Sequence, residues 1–433
     1  MNSLILKSLF AINFASFAED IFFTTEIDAS KKEYPENTFR CGDSSFNRVS
    51  FLYGANGAGK TFFCKILKEI QRLLSLSPVL ASPNANQILS TPQFEDLAGP
   101  VKPFAFDTSS SSRPTTLGLE LVLSDTTYHY EFSIKGNTVV RELLTKKYRR
   151  TEKLIERTSP AAEDISLRSE MKGFESIKHI VRPDALCLSM AAMMNNEMAK
   201  ELYSAICQID VISMALGKID TAPSDSAFSD ERIAKYVRIL RNADPTIRNI
   251  RVSSSEEEIA RQKVGADDFE NREIIMKKLT VNVESTHAVY DGGKESEVQA
   301  PIKFFAEESL GTIKLFTLLP PLFDVLETGG VLVIDELENG MHLALAKELV
   351  QLFNDPDTNS NNAQLICTSH QPLLLDGNFR RDQVWVAVKD ICGKSQLCRL
   401  SNRKTAHAKV NLTTQILRGV FGCNPQLFFD NHT

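Results

Sequence analysis

Val49 to Tyr53 is a largely apolar run that stops at Gly54, and Thr61 to Ser75 then carries apolar side chains at helical spacing (Phe62, Ile66, Leu67, Ile70, Leu73, Leu74). This predicts a buried strand, a glycine-containing turn and an amphipathic helix. Ahead of it, residues 1 to about 48 alternate apolar and polar positions (Leu4, Leu6; Ile21, Phe23, Thr25), with Pro35-Glu36-Asn37 as a turn. Short strands of a small sheet are expected there. Met1 to Phe17 reads as a first strand and turn and not as a signal peptide, because Asn13 interrupts it and Glu19-Asp20 follow.

Beyond the helix, Ser82 to Pro114 is rich in Ser, Pro, Asn and Thr and reads as a mobile loop. Leu117 to Val122 and Tyr128 to Ile134 alternate again around a Ser124-Asp125 turn, and Thr138 to Leu144 continues the pattern. From about 160 to 285 the spacing becomes helical. One helix is expected over Glu197 to Leu216, another from a Ser229 cap to Leu240, and Ser253 to Ser255 with Glu256 to Glu258 form a run of capping boxes. No sustained heptads appear, which predicts a compact helical insert and not a coiled-coil arm. The methionines at 190, 193, 194 and 198 read as core filling. Strand signals return at Val331 to Ile334, Ala363 to Cys367, Val384 to Val388 and Gln396 to Leu400, with helices over Ala344 to Phe353 and about Leu412 to Val420. Strands alternating with helices predict an α/β protein with a mostly parallel sheet flanked by helices. The expected division is 1–158, an N-terminal lobe with an antiparallel β subdomain; 159–285, a helical insert; and 286–433, a C-terminal lobe.

Composition changes this picture little. The 433 residues are 42% apolar and 24% charged, with a net charge of −6, as in a globular protein without a global pull toward nucleic acid or anionic membrane. No apolar run reaches the length of a spanning helix, so no membrane association is expected. The eight cysteines are scattered without a C-x-x-C pair, which predicts reduced thiols and a cytoplasmic location. Lys146-Lys147-Tyr148-Arg149-Arg150 with Lys153 and Arg157 is the most basic stretch. It reads first as a strand edge protected by charge and second as a nucleic-acid contact.

The chemistry sits at the first strand–turn–helix unit. Gly54-Ala55-Asn56-Gly57-Ala58-Gly59-Lys60-Thr61 fits G-x-x-x-x-G-K-[ST], a P-loop. Its glycines let backbone N–H groups, with that of Phe62, surround phosphates at a helix start. Lys60 is expected to reach the β- and γ-phosphates, and Thr61 to hold Mg²⁺. Val331 to Ile334 ends in Asp335-Glu336. A buried strand would lift Asp335 to the sheet edge as a second Mg²⁺ ligand, with Glu336 next to it as the base for the attacking water. ATP and Mg²⁺ are therefore the expected cofactors.

Ser309-Leu310-Gly311 before the Asp335 strand and Thr368-Ser369-His370 after the next strand resemble, in that order, the ABC-type ATPases. The resemblance implies that Ser309, Gly311 and the N–H groups opening the following helix meet a partner subunit's ATP. It implies that His370 contacts the γ-phosphate, and that the chain works as an ATP-dependent homodimer or higher oligomer. Leu310 and Thr312 depart from the usual transporter motif, and Pro103-Phe104-Ala105-Phe106-Asp107 stands where a lid glutamine is usual. Asn13-Phe14-Ala15-Ser16-Phe17 and Asp335-Glu336-Leu337-Glu338-Asn339-Gly340-Met341-His342 are similar to ATPases related to structural-maintenance, recombination-repair and OLD proteins. Asp376-Gly377, after Ser369-His370-Gln371-Pro372, and Gly419-Val420-Phe421-Gly422 resemble a subgroup of these, the RloA- and AbiL-like proteins of phage defence. That likeness implies an effector protein from an adjacent gene, triggered in abortive infection. The alternative is a DNA-maintenance ATPase of the recombination-repair kind. An OLD-type nuclease is disfavoured, because too little chain follows His370 for a nuclease domain.

Overall fold

The computed structural model describes residues 4–80, 99–175, 178–214, 228–264, 272–377, 379–403 and 411–422. The chain divides into two compact units: Met1–Asp220 with Phe323–Thr433, and Thr221–Leu322. The first unit opens with β1 (Leu4–Ile12), β2 (Ile21–Thr24), β3 (Thr38–Cys41), β4 (Ser44–Asn47) and β5 (Val49–Tyr53), followed by α1 (Lys60–Leu80). It continues through β6 (Thr115–Leu123), β7 (Thr126–Lys135), β8 (Thr138–Lys147), β9 (Thr151–Arg157) and β10 (Ile165–Leu167). Two helices, α2 (Cys187–Met193) and α3 (Glu197–Cys207), lead to β11 (Asp210–Ser213).

The second unit holds α4 (Asp230–Ala243), β12 (Ile247–Val264), β13 (Arg272–Asp291), β14 (Lys294–Lys303) and the start of α5 (Leu310–Thr328). The chain then returns to the first unit as β15 (Val331–Asp335), α6 (Leu343–Asn354), β16 (Gln364–Ser369), β17 (Val384–Lys389), β18 (Ser395–Arg399) and α7 (Leu412–Leu417).

Two sheets build the first unit. One has seven strands in the order β10-β9-β8-β7-β6-β1-β2, with every pairing antiparallel. The turn from β6 to β7 has only Ser124 and Asp125 between paired residues, at φ 46° and 66°. Two consecutive left-handed residues match the right-handed twist of the flanking strands, so the tight hairpin read from sequence forms there. Gly118 is required at its place on β6, because a Cβ would lie 2.1 Å from the Phe10 ring. That ring covers the bare backbone and stacks on His129 at 5.3 Å.

The other sheet runs β11-β15-β16-β5-β17-β18, parallel except for the final β17–β18 hairpin. Strands β5, β15 and β16 are buried along their whole length, which explains their mostly apolar centres. α1 buries Phe63, Cys64, Ile66, Leu67, Ile70, Leu73 and Leu74 in the core. Each fully buried aliphatic residue there stabilises the fold by about 1.5–3 kcal/mol. Phe62, expected on that face, is instead partly exposed.

Several expectations change. The first 48 residues do not form a separate sheet: β1 and β2 join the seven-stranded sheet, and β3 with β4 form a two-stranded hairpin. The helix expected over Glu197 to Leu216 ends at Cys207, and Asp210-Val211-Ile212-Ser213 becomes a strand parallel to β15. A free parallel edge offers Val211 and Ile212 full backbone pairing, which outweighs a continued helical spacing.

The insert expected over 159–285 is helical only in part. Its α2 and α3 belong to the first unit, α4 opens the second, and from Ile247 the chain forms the antiparallel sheet β12-β13-β14. The capping boxes expected at Ser253 to Glu258 lie in β12. The alternation in Thr280-Val281-Asn282-Val283-Glu284, on the partner strand β13, is a strand signal. Met190 is buried, but Met193 and Met194 are exposed.

Half of the cations in the basic stretch are paired: Lys146 bonds Glu170, Arg150 bonds Glu152 and Lys153 bonds Glu156. Arg157 is fully buried and donates to the carbonyls of Ser159, Pro160, Arg182 and Ala185. Glu142, opposite it on β8, accepts from the Tyr130 hydroxyl at 3.0 Å and from the N–H groups of Cys187 and Leu188 at 2.7 and 3.0 Å. Among the described residues no helix is long and apolar enough to cross a membrane. Residues 82–98 of the expected mobile loop, and Cys423, lie outside the described residues.

Candidate active site

Strand β16 lies between β5 and β15, with Cys367 level with both Phe51 and Ile334. This register brings Tyr53, Asp335 and Ser369 to one carboxyl edge of the sheet, the place where open α/β sheets bind ligands. Gly54 starts the P-loop there, its N–H donating to Ser369 O at 3.3 Å. Gly57 and Gly59 take φ of 78° and 106°, values that L side chains rarely adopt. At Gly59 a Cβ would also lie 2.7 Å from the Ser395 hydroxyl and 2.8 Å from that of Ser16. The loop closes through Ala58 N–H to Ala55 O at 3.1 Å and enters α1 through Phe63 N–H to Gly59 O at 3.0 Å. Thr61 and Phe62 are exposed at the helix start.

Lys60 is 5% exposed, and its ammonium donates to the carbonyls of Gly54 at 2.8 Å and Ala55 at 3.0 Å. Burial pushes its pKa below the ordinary lysine value, against the opposing pull of Glu336, Glu338 and Asp335.

The three carboxylates are placed by β16. Asp335 is buried and accepts from the Thr368 hydroxyl at 2.7 Å. The same hydroxyl oxygen accepts the Glu336 N–H at 2.8 Å, and Thr368 O accepts the Leu337 N–H at 3.1 Å. Glu336 itself sits at φ 57°, a left-handed conformation that costs a non-glycine residue about 1–3 kcal/mol and persists only where neighbours over-determine it. Its Oε2 accepts from Asn339 Nδ2 at 2.9 Å. Glu338 Oε1 accepts the His370 N–H at 2.8 Å and lies 3.1 Å from His370 Nδ1, while its Oε2 is buried with no partner. His370 is half exposed.

These residues fit a Mg²⁺–nucleotide. The loop has the two left-handed glycines a phosphate cradle needs, a buried Asp335 stands at the sheet edge, and an orphaned carboxylate oxygen of Glu338 remains. Thr61 and Asp335 would hold the metal and Lys60 the phosphates.

The structure therefore brings Gly54 to Phe62, Asp335, Glu336 and His370 together in one unit. Ser309 and Gly311 belong to the other, at the start of α5, where the Ser309 hydroxyl accepts the Thr312 N–H at 3.1 Å. Asn13 supports the loop before β6 and does not stand alone as a motif letter. It donates to Ser110 O at 2.9 Å, accepts Phe104 N–H at 3.3 Å, and receives the Thr115 hydroxyl on its carbonyl. His342 caps α6 through Ala344 N–H. Thr368 and Asn339 were visible only as motif neighbours; a polar residue ending a buried strand is the signal that singles out Thr368. Replacing Thr368 by Val removes both of its bonds at nearly constant volume. Loss of such an orienting partner is expected to weaken the Mg²⁺ dependence of nucleotide binding by about tenfold to a hundredfold. A Mg²⁺ titration with fluorescent nucleotide checks this, and an unchanged midpoint would remove Thr368 from the site.

A family model described as "AAA domain, putative AbiEii toxin, Type IV TA system" matches residues 49–177 and 207–376. Among solved structures the chain is similar to the SMC head domain from Thermotoga maritima, with 11% identity, 91% of this chain and 98% of that chain covered, and a TM-score of 0.37. No curated protein matches the sequence.

Proposed function

This chain belongs to the AAA-domain family whose description names the AbiEii toxin of type IV toxin–antitoxin systems, and from that premise we propose that it is an ABC-type ATPase. It binds and hydrolyses ATP as a homodimer or higher oligomer and regulates a separately encoded toxic effector in anti-phage defence. The observation that supports the ATPase reading is that β5, β15 and β16 end at one sheet edge, from which Lys60, Asp335, Glu336 and His370 follow, with the three carboxylates Glu336, Glu338 and Asp335 acting on the Lys60 ammonium. Bound Mg²⁺ would neutralise phosphate charge as it develops.

Within that site Lys60 exchanges the Gly54 and Ala55 carbonyls for phosphate oxygens. Glu336, held by Thr368 and Asn339, takes the proton of the attacking water. His370, braced by Glu338, faces the terminal phosphate. Ser309 and Gly311 complete the site of a second copy, so that cleavage of the terminal phosphate loosens the assembly.

The defence role rests on the family description and on the RloA- and AbiL-like motifs. The DNA-maintenance alternative draws on residues 146–157, and it stands second because three of the six cations there are paired with carboxylates and Arg157 is buried.

Phosphate release by purified wild type against Lys60→Ala tests the enzyme, with turnover expected only in the wild type. Plating a phage panel on bacteria carrying the gene with its native neighbour tests the role. Protection that disappears with Lys60→Ala supports defence; equal plating of every phage, together with DNA-stimulated turnover, favours the alternative.

A further inference from the structure

In the second unit a chain of polar side chains ends at the residue before Ser309. Glu308, whose side chain is 4% exposed, accepts on Oε1 from His287 Nε2 at 2.6 Å and from the Ser285 hydroxyl at 2.5 Å. The other ring nitrogen of His287 lies 2.8 Å from the Thr246 hydroxyl, which also bonds Asp244 Oδ1 at 2.6 Å. The Ala288 N–H donates to Thr246 O at 2.8 Å, tying the same turn to β13. Three segments meet in this chain: the turn after α4, the strand β13 and the end of the single helical turn Phe304–Glu307. Immediately after Glu308 the character reverses. Ser309 spends its hydroxyl on the Thr312 N–H, and Leu310 is 72% exposed.

A buried carboxylate beside an imidazole is costly unless it is hydrogen-bonded, and the directional bonds of such a chain admit fewer arrangements than apolar packing does. Such an arrangement is what an exposed serine needs if it must meet another molecule in a set orientation. We propose that Glu308 and His287 are positioning residues: they clamp Ser309 and the start of α5 in the orientation that closes on the nucleotide of a second copy. The inference rests on the trans-acting role assigned to Ser309 under the proposed function. It adds the side chains that aim it, and it makes β13 the strand through which that aim is set.

Because the clamp acts on the partner's nucleotide, its loss leaves the chain's own P-loop intact. In the full-length protein Glu308→Gln is expected to lower kcat by about tenfold or more, the size seen when a partner orienting a functional residue is removed. Its affinity for fluorescent ATP analogue should stay within about twofold of wild type. Mixing Glu308→Gln with Lys60→Ala should restore part of the turnover, since the P-loop of the first chain then meets the intact signature of the second. Thr246→Val, which cuts the chain between His287 and Asp244, gives a second and milder variant should Glu308→Gln fail to fold.

Turnover per folded molecule equal to wild type would overturn the clamp, leaving these residues to stability alone; so would a mixture as inactive as its components. The underlying reading has its own control, the mass of Glu336→Gln protein with and without ATP. If that protein does not assemble, the trans-acting role falls and the clamp with it. If it assembles and the Glu308→Gln double variant assembles equally, only the clamp falls.

Discussion

Replacing Glu336 by Gln is expected to lower ATP turnover by about a hundredfold to ten-thousandfold, the contribution of a positioned general base, while nucleotide still binds. The change is nearly isosteric. Gln keeps an oxygen for the Asn339 amide, and the backbone bond from residue 336 to the Thr368 hydroxyl does not depend on the side chain. Asp335 and Lys60 are untouched, so the site should fill with Mg²⁺ and ATP and then stall. If ATP holds two copies together, the stalled protein accumulates as the closed assembly. Light scattering should then give a larger mass with ATP than without, whereas Lys60→Ala stays unassembled under both conditions. Equal masses for Glu336→Gln would sink the trapping idea. Near-normal turnover would move the base elsewhere, with His370 the next residue to replace.

Glu142→Leu is expected to destabilise the first unit by about 3–5 kcal/mol, the cost of leaving three buried donors unsatisfied. Leu186 stands at the N-cap of α2 and has no side-chain acceptor to offer. Glu142 does this capping from β8, forty-five residues away in sequence. Without it two backbone N–H groups and the Tyr130 hydroxyl are left buried, each worth about 1–3 kcal/mol when unsatisfied. Burial, and then the Glu142 charge, hold the Cys187 thiol well above its ordinary pKa, so the thiol stays neutral and the carboxylate has no competitor for the helix start. The same segment is tied to α1 by the Leu186 N–H on the Ser77 hydroxyl at 3.0 Å, and the loss should spread to the P-loop helix. Urea titration of the full chain should show an earlier midpoint for Glu142→Leu and a smaller shift for Tyr130→Phe. A midpoint equal to wild type would mean that the helix finds its cap elsewhere.

The parts of this fold legible in sequence are those whose signal is local. Val49 to Tyr53, Val331 to Asp335 and the Lys60 helix each carry their burial in their own spacing, and the left-handed turn at Ser124-Asp125 carries its shape in its residues. What escaped depends on partners far along the chain. Val211 and Ile212 read as the end of a helix until β15 offers them a parallel edge. Ser253 to Glu258 reads as a set of caps until β13 pairs with it. Arg157 reads as part of a basic face until the carbonyls of 159–185 enclose it. The site divides in the same way. Lys60, Asp335 and Glu336 are named by their motifs. Thr368, Asn339 and Glu338, which hold them in place, acquire meaning only when β16 is set between β5 and β15.

Lys60 bonded to its own loop has a consequence for ligand discrimination. Its ammonium already has two well-placed oxygen acceptors, the carbonyls of Gly54 and Ala55. Two of its three N–H donors are thus engaged, so an incoming anion meets one open donor and must displace carbonyls for any further bond. Chloride offers a single acceptor point and returns less than it displaces, whereas a polyphosphate brings several oxygens along one chain and replaces both contacts at once. On the proposed reading, the self-bonded lysine would favour a ligand that can match several bonds together over the small anions around it.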